Sequence, residues 1–239
     1  MITTKPVIDT SFDTRTDAGK GDPDTTSARL REYHRLLWSK ELPDGTLFSL
    51  DTSNPRRYLF HTSARGEFFL ASDTVVPTYR SWQRMRHLID AIRPEELDEF
   101  QYLNHTIGGA MVFPGERRKG TMTLNGARGF NAHIADRFDL TLDCIRRQYA
   151  REANPLARVL ENYWDFFALF DDFDGYVDFF LLQDLVDDGN VRFHLPPTRD
   201  GSALPGDVTA YLEYRDNAQM FLRARNSRIA EWAAARFAS

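Results

Sequence analysis

The spacing of apolar residues changes several times along the chain, and each change marks a predicted element. Ser27 suits an N-cap, because its hydroxyl can accept a backbone N–H at a helix start. Leu30, Tyr33, Leu37 and Trp38 then recur at helical intervals to about Ser39. After the Leu42-Pro43-Asp44-Gly45 turn come short strand-like runs at Leu47–Leu50, Tyr58–His61 and Glu67–Ala71. Asn54-Pro55 and Ala64-Arg65-Gly66 separate these runs, which predicts a small antiparallel sheet. From Pro77 the period is helical, with Trp82, Met85, Leu88, Ile89 and Ile92 on one face up to Pro94. Pro94 suits a first helical turn, with Glu95 and Glu96 at its positive end, and this next helix runs to about Asn104.

The second half is predicted to be almost wholly helical. Ile107–Pro114 reads as extended and Glu116–Lys119 as a charged hairpin loop. A central helix is expected from about Asn131 to Ala150, on the period of Ile134, Phe138, Leu142, Ile145 and Tyr149. Leu156–Phe173 predicts an aromatic helix, Gly175 an interruption, and Tyr176–Leu185 the middle of the core. Asp187–Asn190 is a turn, His194–Pro197 an extended connector, and Asp207 the cap of a last helix from Val208 to about Phe237. The fold class is therefore α+β: a mainly helical single domain over 27–239, with a small antiparallel sheet in the N-terminal half. Residues 1–26 form a polar, turn-rich segment in which Asp13, Asp17, Asp22 and Asp24 read as turn residues. Their spacing lacks the alternating ligands and closing Glu of a calcium loop.

Composition narrows the function classes. The 239 residues are 42% hydrophobic and 27% charged, as in an ordinary globule, and 18 Phe imply aromatic-rich packing. A net charge of −5 argues against a surface built wholly for nucleic acid. The basic excess falls in residues 80–158, with 13 Lys/Arg against 10 Asp/Glu, which fits a local anion pocket better than a broad duplex-binding face. Cys144 stands alone, so no intrachain disulfide or cysteine zinc cluster is expected, and its place on a helix suits a small core residue. No signal peptide or membrane-length apolar run is visible, and a cytoplasmic protein is expected.

The candidate chemistry centres on Asn125-Gly126-Ala127-Arg128-Gly129-Phe130-Asn131. This reads as a glycine-bracketed loop that feeds the central helix. Free N–H groups at a helix start and a nearby arginine both favour an anion. The expected phosphate-binding residues are Asn125, Gly126, Arg128, Gly129, Asn131 and Arg137. The loop is neither a Walker loop nor G-x-G-x-x-G, and its glycines equally suit a plain turn. Asp136, Asp139 and Asp143 are spaced to form one helical stripe with Arg146 or Arg147. That stripe is read either as a site carrying a general base or as a solvated, salt-bridged face. His105 is a further catalytic candidate. The order His105…Asn125…Asn131 loosely resembles that of ββα-metal nucleases, but no Asp-His dipeptide accompanies it, and capping or packing is the competing role. No metal ligand set and no cofactor are assigned.

FDTRTDAGKGDPD, LREYHRLLWSKELPDG, GEFFLASD, TIGGAMVFP, NGARGFNAHIADRFDLTLDCIRR and FDGYVDFFLLQDLV together resemble an uncharacterised bacterial family of unknown function. Its members also occur in phages and mobile elements. The likeness spans about residues 11 to 230 and implies one cooperative domain and a role in phage–host conflict; it implies no activity or catalytic residues. The expectation is a protein that binds, and acts on, a nucleotide or nucleic-acid phosphate. The alternatives are a non-catalytic interaction or nucleotide-sequestering protein, and a subunit whose exposed Phe and Trp side chains form a homo-oligomer interface.

Overall fold

The computed structural model describes residues 7–53, 58–118, 120–198 and 201–237. The start of the polar segment, the Asn54-Pro55 turn and Lys119 of the expected hairpin loop lie outside the described residues. The fold is α+β. Its main sheet has three antiparallel strands in the order β3 (Leu59–Ser63), β4 (Gly66–Thr74), β5 (Ala110–Pro114). β3 and β4 form the expected hairpin, with Leu59 opposite Leu70 and Ser63 opposite Gly66. β5, the extended run after His105, pairs with the far end of β4 and sets Ser72 opposite Val112. Two-stranded ribbons, β1 (Lys40–Glu41) with β2 (Leu47–Phe48) and β6 (Val186–Asp187) with β7 (Asn190–Val191), stand apart from it. The expected Leu47–Leu50 strand therefore pairs with β1 rather than joining the main sheet.

Helices cover this sheet. α1 (Pro23–Thr26) and α2 (Ala28–Trp38) come first, and Ser27 caps α2 by accepting from Leu30 N at 3.0 Å. α3 (Arg86–Ile89) is a single turn, shorter than the period from Pro77 suggests. Tyr79 sits at φ 58°, which bars a helix from passing through it. α4 (Pro94–Asn104) starts at its proline as expected. α5 (Leu124–Phe130) and α6 (Phe138–Tyr149) occupy the expected loop and central helix. α7 (Ala157–Asn162), α8 (Trp164–Phe167) and α9 (Phe173–Phe179) replace the single aromatic helix expected up to Phe173. The chain breaks at Tyr163 (φ −114°, ψ 19°) and again at Asp171 (φ 66°), so that rings turn inward from several directions. Phe48, Phe166, Phe170, Tyr176, Phe179 and Phe180 meet there, with centroids 4.9–6.5 Å apart, mostly edge-to-face or tilted as aromatic quadrupoles prefer. Cys144 is buried among apolar residues, and burial pushes its thiol up to about 12.

α10 (Val208–Phe237) has the bounds that the sequence implies, with Ala210 N donating to Asp207 at 2.8 Å. It lies across the turn before β5. Asn226 accepts from Gly108 N at 2.9 Å and donates to Thr106 Oγ1 at 2.8 Å, while Arg225 donates to the carbonyls of Gly108 and Ala110. The Thr106-Ile107-Gly108-Gly109 string is thus a docking step for α10. Gly109 has no room for a side chain, since a Cβ there would fall 2.1 Å from Asn104 O. Gly109→Ala is expected to destabilise the protein by more than about 3 kcal/mol, because a backbone carbonyl cannot rotate away. Urea unfolding would check this, and a loss under about 1 kcal/mol would contradict it.

Candidate functional site

Four elements bring polar side chains together at the end of β4. α1 carries Asp24; β4 carries Ser72 and Asp73; α5 carries Asn125 and Arg128; the turn before α6 carries Asp136. α1 is held there by its own geometry. Asp22 caps it by accepting from Asp24 N at 3.1 Å, Pro23 occupies the first turn, and Thr26 donates to Asp22 O at 2.7 Å. Gly21 permits the close return, since a Cβ would lie 2.4 Å from the Thr26 methyl. The Asp22-Pro23-Asp24 turn thereby delivers a carboxyl onto the sheet, a role the turn reading of these residues does not include.

The Asn125–Asn131 segment is itself a helix rather than a loop. Thr123 caps it by accepting from Gly126 N at 3.2 Å, and Asn131 ends it. α6 accordingly begins at Phe138 and not at Asn131. Between the two helices, Ala135 (φ 47°) and Asp136 (φ 66°) adopt left-handed backbone, which costs on the order of 1–2 kcal/mol for each non-glycine residue. Arg128 holds this turn: its carbonyl accepts from Asp136 N at 3.1 Å and its guanidinium donates to Asp136 O at 2.8 Å. Tyr79 adds a bond to Ala135 O at 3.1 Å.

Arg128 has no solvent exposure. It donates to Asp73 Oδ2 at 2.7 Å and Thr141 Oγ1 at 3.0 Å, and Phe113 lies 4.9 Å beneath its guanidinium. The side chains of Asp73 and Asp136 remain 21% and 25% exposed. Two carboxylates, Asp73 and Asp136, therefore share one fully engaged cation, and a third, Asp24, adds its charge beside them. Burial raises all three above the ordinary carboxylate range. For Asp73 and Asp136 the Arg128 charge opposes that rise. No cation among the described residues offsets the rise at Asp24; burial first, then the charges of Asp73 and Asp22, push it up to about 7. Burial pushes Asp73 up to about 7 as well, even though the Arg128 charge and the bond from Thr74 N favour its ionised form.

A one-way hydrogen-bond chain ends on Asp24. Trp38 donates to His34 Nδ1 at 3.0 Å, and an indole N–H can only donate, so the imidazole proton must lie on Nε2. His34 Nε2 then donates to Ser72 Oγ at 3.0 Å, and the hydroxyl passes its own hydrogen to Asp24 Oδ1 at 3.3 Å. His34 is wholly buried and its pKa is pushed down to about 3 by burial and then the Arg225 charge. This tautomer excludes a serine–histidine nucleophile pair, because Nε2 has no lone pair to receive the Ser72 proton. Asn125 donates weakly to Ser72 O at 3.4 Å, and its Oδ1 is buried without a partner. At the α1–α2 junction lies a cavity of about 240 Å³ lined by Thr25, Ser27, Arg31, Glu32, Thr52 and Tyr58, with the Arg31 guanidinium 5.7 Å above the Tyr58 ring and donating to Thr52 O.

The remaining expected residues fall elsewhere. Arg137 and Asp139 form a fully buried pair, and Arg137 also donates to the carbonyls of Leu195 and Ala203. Burial alone would raise Asp139; the Arg137 charge and the hydrogen bonds outweigh it and hold the group below its ordinary value. Asp143 bonds Arg146 at 3.0 Å on the helix surface. The supposed stripe is thus split among a turn, the interior and the surface, because Asp136 precedes the helix. His105 Nδ1 lies 2.7 Å from Gln101 O at the end of α4, a capping role. Gly126 and Gly129 lie within α5, and Asn131 donates to Pro155 O at 3.2 Å. Of the expected set, Asn125, Arg128 and Asp136 reach the cluster; Asp24, Ser72 and Asp73 were missed. Ser72-Asp73 carries little signal in sequence, whereas Asp22-Pro23-Asp24 is legible as a capped turn. Among the described residues no group of three or more His, Cys, Asp or Glu is arranged to hold a metal ion, and no helix is long and apolar enough to cross a membrane.

The chain belongs to a family of unknown function (DUF6994), whose match covers residues 8–229 and so includes every member of the cluster. No curated protein and no solved structure matches it.

The cluster predicts a pH dependence of stability. Asp24 has a higher pKa folded than unfolded, so its contribution is complete below about pH 4 and is lost as pH rises through about 7. Asp24→Asn stays neutral at every pH and can still accept from Ser72. It is expected to gain stability relative to wild type at pH 8.5 but not at pH 4, by on the order of 1–3 kcal/mol. Urea titrations at the two pH values measure this, and a difference independent of pH would refute it.

Proposed function

We propose that the chain is an acid–base enzyme acting on a nucleotide, or on a nucleotide unit of a nucleic acid, at its sugar. The observation that carries this reading is a pair of neighbouring carboxyls that burial pushes up to about 7 each, in different settings. Asp24 accepts from Ser72 at the end of the Trp38–His34–Ser72 chain, with no cation against it among the described residues, whereas Asp73 is bonded to Arg128. Two such carboxyls near neutrality hold one proton between them and so divide into an acid and a base. The cluster is rich in acceptors and keeps its one guanidinium to itself, so it suits hydroxyl groups and developing positive charge rather than a phosphate. That points to cleavage of the glycosidic bond, whose transition state has oxocarbenium character. Asp24 gives its proton to the leaving nitrogen as the C1′–N bond breaks. Water adds to C1′ and surrenders a proton to Asp136, while Asp73 faces the cationic sugar. The base then has the cavity at the α1–α2 junction, where Tyr58 offers an aromatic face. A part in phage–host conflict fits an activity that destroys nucleotides.

Incubating the protein with mononucleotides, dinucleotide cofactors and short oligonucleotides, followed by mass spectrometry, tests the reading. Free base and sugar phosphate are expected. Asp24→Asn should lower turnover by about 10²–10⁴-fold while substrate binding persists. Nucleotide returned intact after heat denaturation would replace the enzyme with a sequestering protein, and turnover unchanged in Asp24→Asn would remove Asp24 from the reaction.

A further inference from the structure

Lys40 opens β1 two positions after Trp38, and rings from three helices surround its ammonium. Nζ lies over the rings of Trp38 (α2), Phe179 (α9) and Trp232 (α10), at 5.4, 4.7 and 5.3 Å from their centres. The Trp38 and Phe179 centres are 6.3 Å apart, so the ammonium meets them in distinct directions. Each tryptophan is backed by another ring. Phe180 packs edge-on against Trp38 at 5.2 Å, and Phe237 against Trp232 at 6.0 Å. Lys40 is half-buried, and its contacts among the described residues are with rings rather than with a carboxylate. Asp178, whose charge favours the ammonium, accepts from the Gln183 amide at 2.9 Å. A ring face attracts a cation but is a weak acceptor for any one N–H. A methyl group carries the same charge to the ring and needs no acceptor. The spacing suits one. A methyl carbon stands ~1.5 Å beyond the nitrogen, which would bring the two tryptophan distances to the ~3.5–4.0 Å optimum for contact.

We propose that Lys40 is a site of N-methylation, taken to the di- or trimethyl state by a separate methyltransferase that uses a sulfonium methyl donor. The lone pair of the neutral amine attacks the methyl carbon, and the C–S bond breaks with its electron pair kept by sulfur, which leaves as a thioether. The surplus proton on nitrogen passes to solvent before the next transfer. A neutral amine is at hand near pH 7, because burial pushes Lys40 down to about 7, with Arg225 and Arg236 adding to the fall and Asp178 opposing it. Trp232 stands within the last two turns of α10, and helix ends open locally at small cost, which gives the modifying enzyme its approach. Trp38 belongs both to this cage and to the relay that ends on Asp24. The inference nevertheless does not rest on the acid–base reading, since mass and melting temperature report it without turnover.

Peptide mass spectrometry of the protein purified from its native cells tests this directly, since the chain has only four lysines, Lys5, Lys20, Lys40 and Lys119. Lys40 is expected to carry two or three methyl groups and the other three none. Reductive methylation of recombinant protein with formaldehyde and a borane tests the cage. Treated wild type is expected to melt about 2–4 °C above untreated protein. Lys40→Arg, treated alike, carries methyl groups only at the other lysines and should show no rise. Trp232→Leu, which removes one wall, should lose at least half of it. The inference is overturned if Lys40 from native cells is unmethylated, if treated wild type melts no higher, or if Lys40→Arg gains as much. Should Lys40→Arg fail to fold, Trp232→Leu takes its place, and a full rise in that variant overturns the inference.

Discussion

Three arginines with no solvent exposure, Arg128, Arg137 and Arg225, hold the ends of this fold's short elements together. A buried guanidinium loses several kcal/mol of hydration, and it persists only where carbonyls and carboxylates take up its N–H groups. Arg225 does so with no carboxylate of the described residues in ion-pair range. It donates to Gly108, Ala110 and Phe180 carbonyls at 2.9–3.3 Å, and burial lowers its pKa only to about 10, so the charge remains. Those carbonyls belong to the entrance of β5 and the exit of α9, where irregular backbone leaves acceptors unused. Arg137 plays the same part for the connector at Leu195 and Ala203, with Asp139 balancing its charge. A chain so divided into short helices has many unsatisfied helix ends, and long planar side chains with five donors can reach several at once.

The same device shapes the candidate site. Arg128 fixes a turn in which two consecutive non-glycine residues have positive φ, and it neutralises one of three carboxylates. It thereby leaves the others in surplus. The strain at Ala135 and Asp136 and the charge surplus at Asp24 are both unfavourable to folding, and they occur within one constellation. Such costs persist where surrounding contacts over-determine the geometry, and they cluster at places that do chemistry. A purely structural cluster would be better served by a second cation or by amides. Stability regained on neutralising Asp24, together with loss of turnover, would be the behaviour of a group kept for function.

Elements set by local rules were legible from residues alone. α2, α4 and α10 announce themselves through Ser27, Pro94 and Asp207, and the β3–β4 hairpin through its flanking turns. What escaped was tertiary. The run from Leu156 to Phe173 has helical periodicity throughout, yet packing of its rings breaks it at Tyr163 and Asp171. The Asn131–Arg137 stretch fits a helix by pattern, but Arg128 pulls it into a left-handed turn. The glycines that flank Arg128 predict a side chain facing a ligand. Nothing local reveals that Asp73, fifty-five positions earlier, would occupy it. Sequence shows which residues are chemically potent, whereas whether a guanidinium is spent inside or offered outside depends on non-local pairing.

That distinction governs how the acidic cluster can act. An arginine facing solvent would recruit anions and leave its carboxylate partner free to exchange. An enclosed one instead acts as a fixed charge that sets the protonation of everything around it. With Arg128 sealed between Phe113 and Thr141, burial comes first at Asp24, and the neighbouring Asp73, Asp22 and Asp136 carboxyls add to the rise. The relay from Trp38 adds a donor whose direction cannot reverse while the indole remains in place. The Ser72 hydroxyl at its end donates to Asp24 and favours the ionised form, so the relay partly offsets the burial that raises this carboxyl. The aromatic core that looks merely structural is what holds Trp38, and through it the orientation of the hydroxyl that meets Asp24.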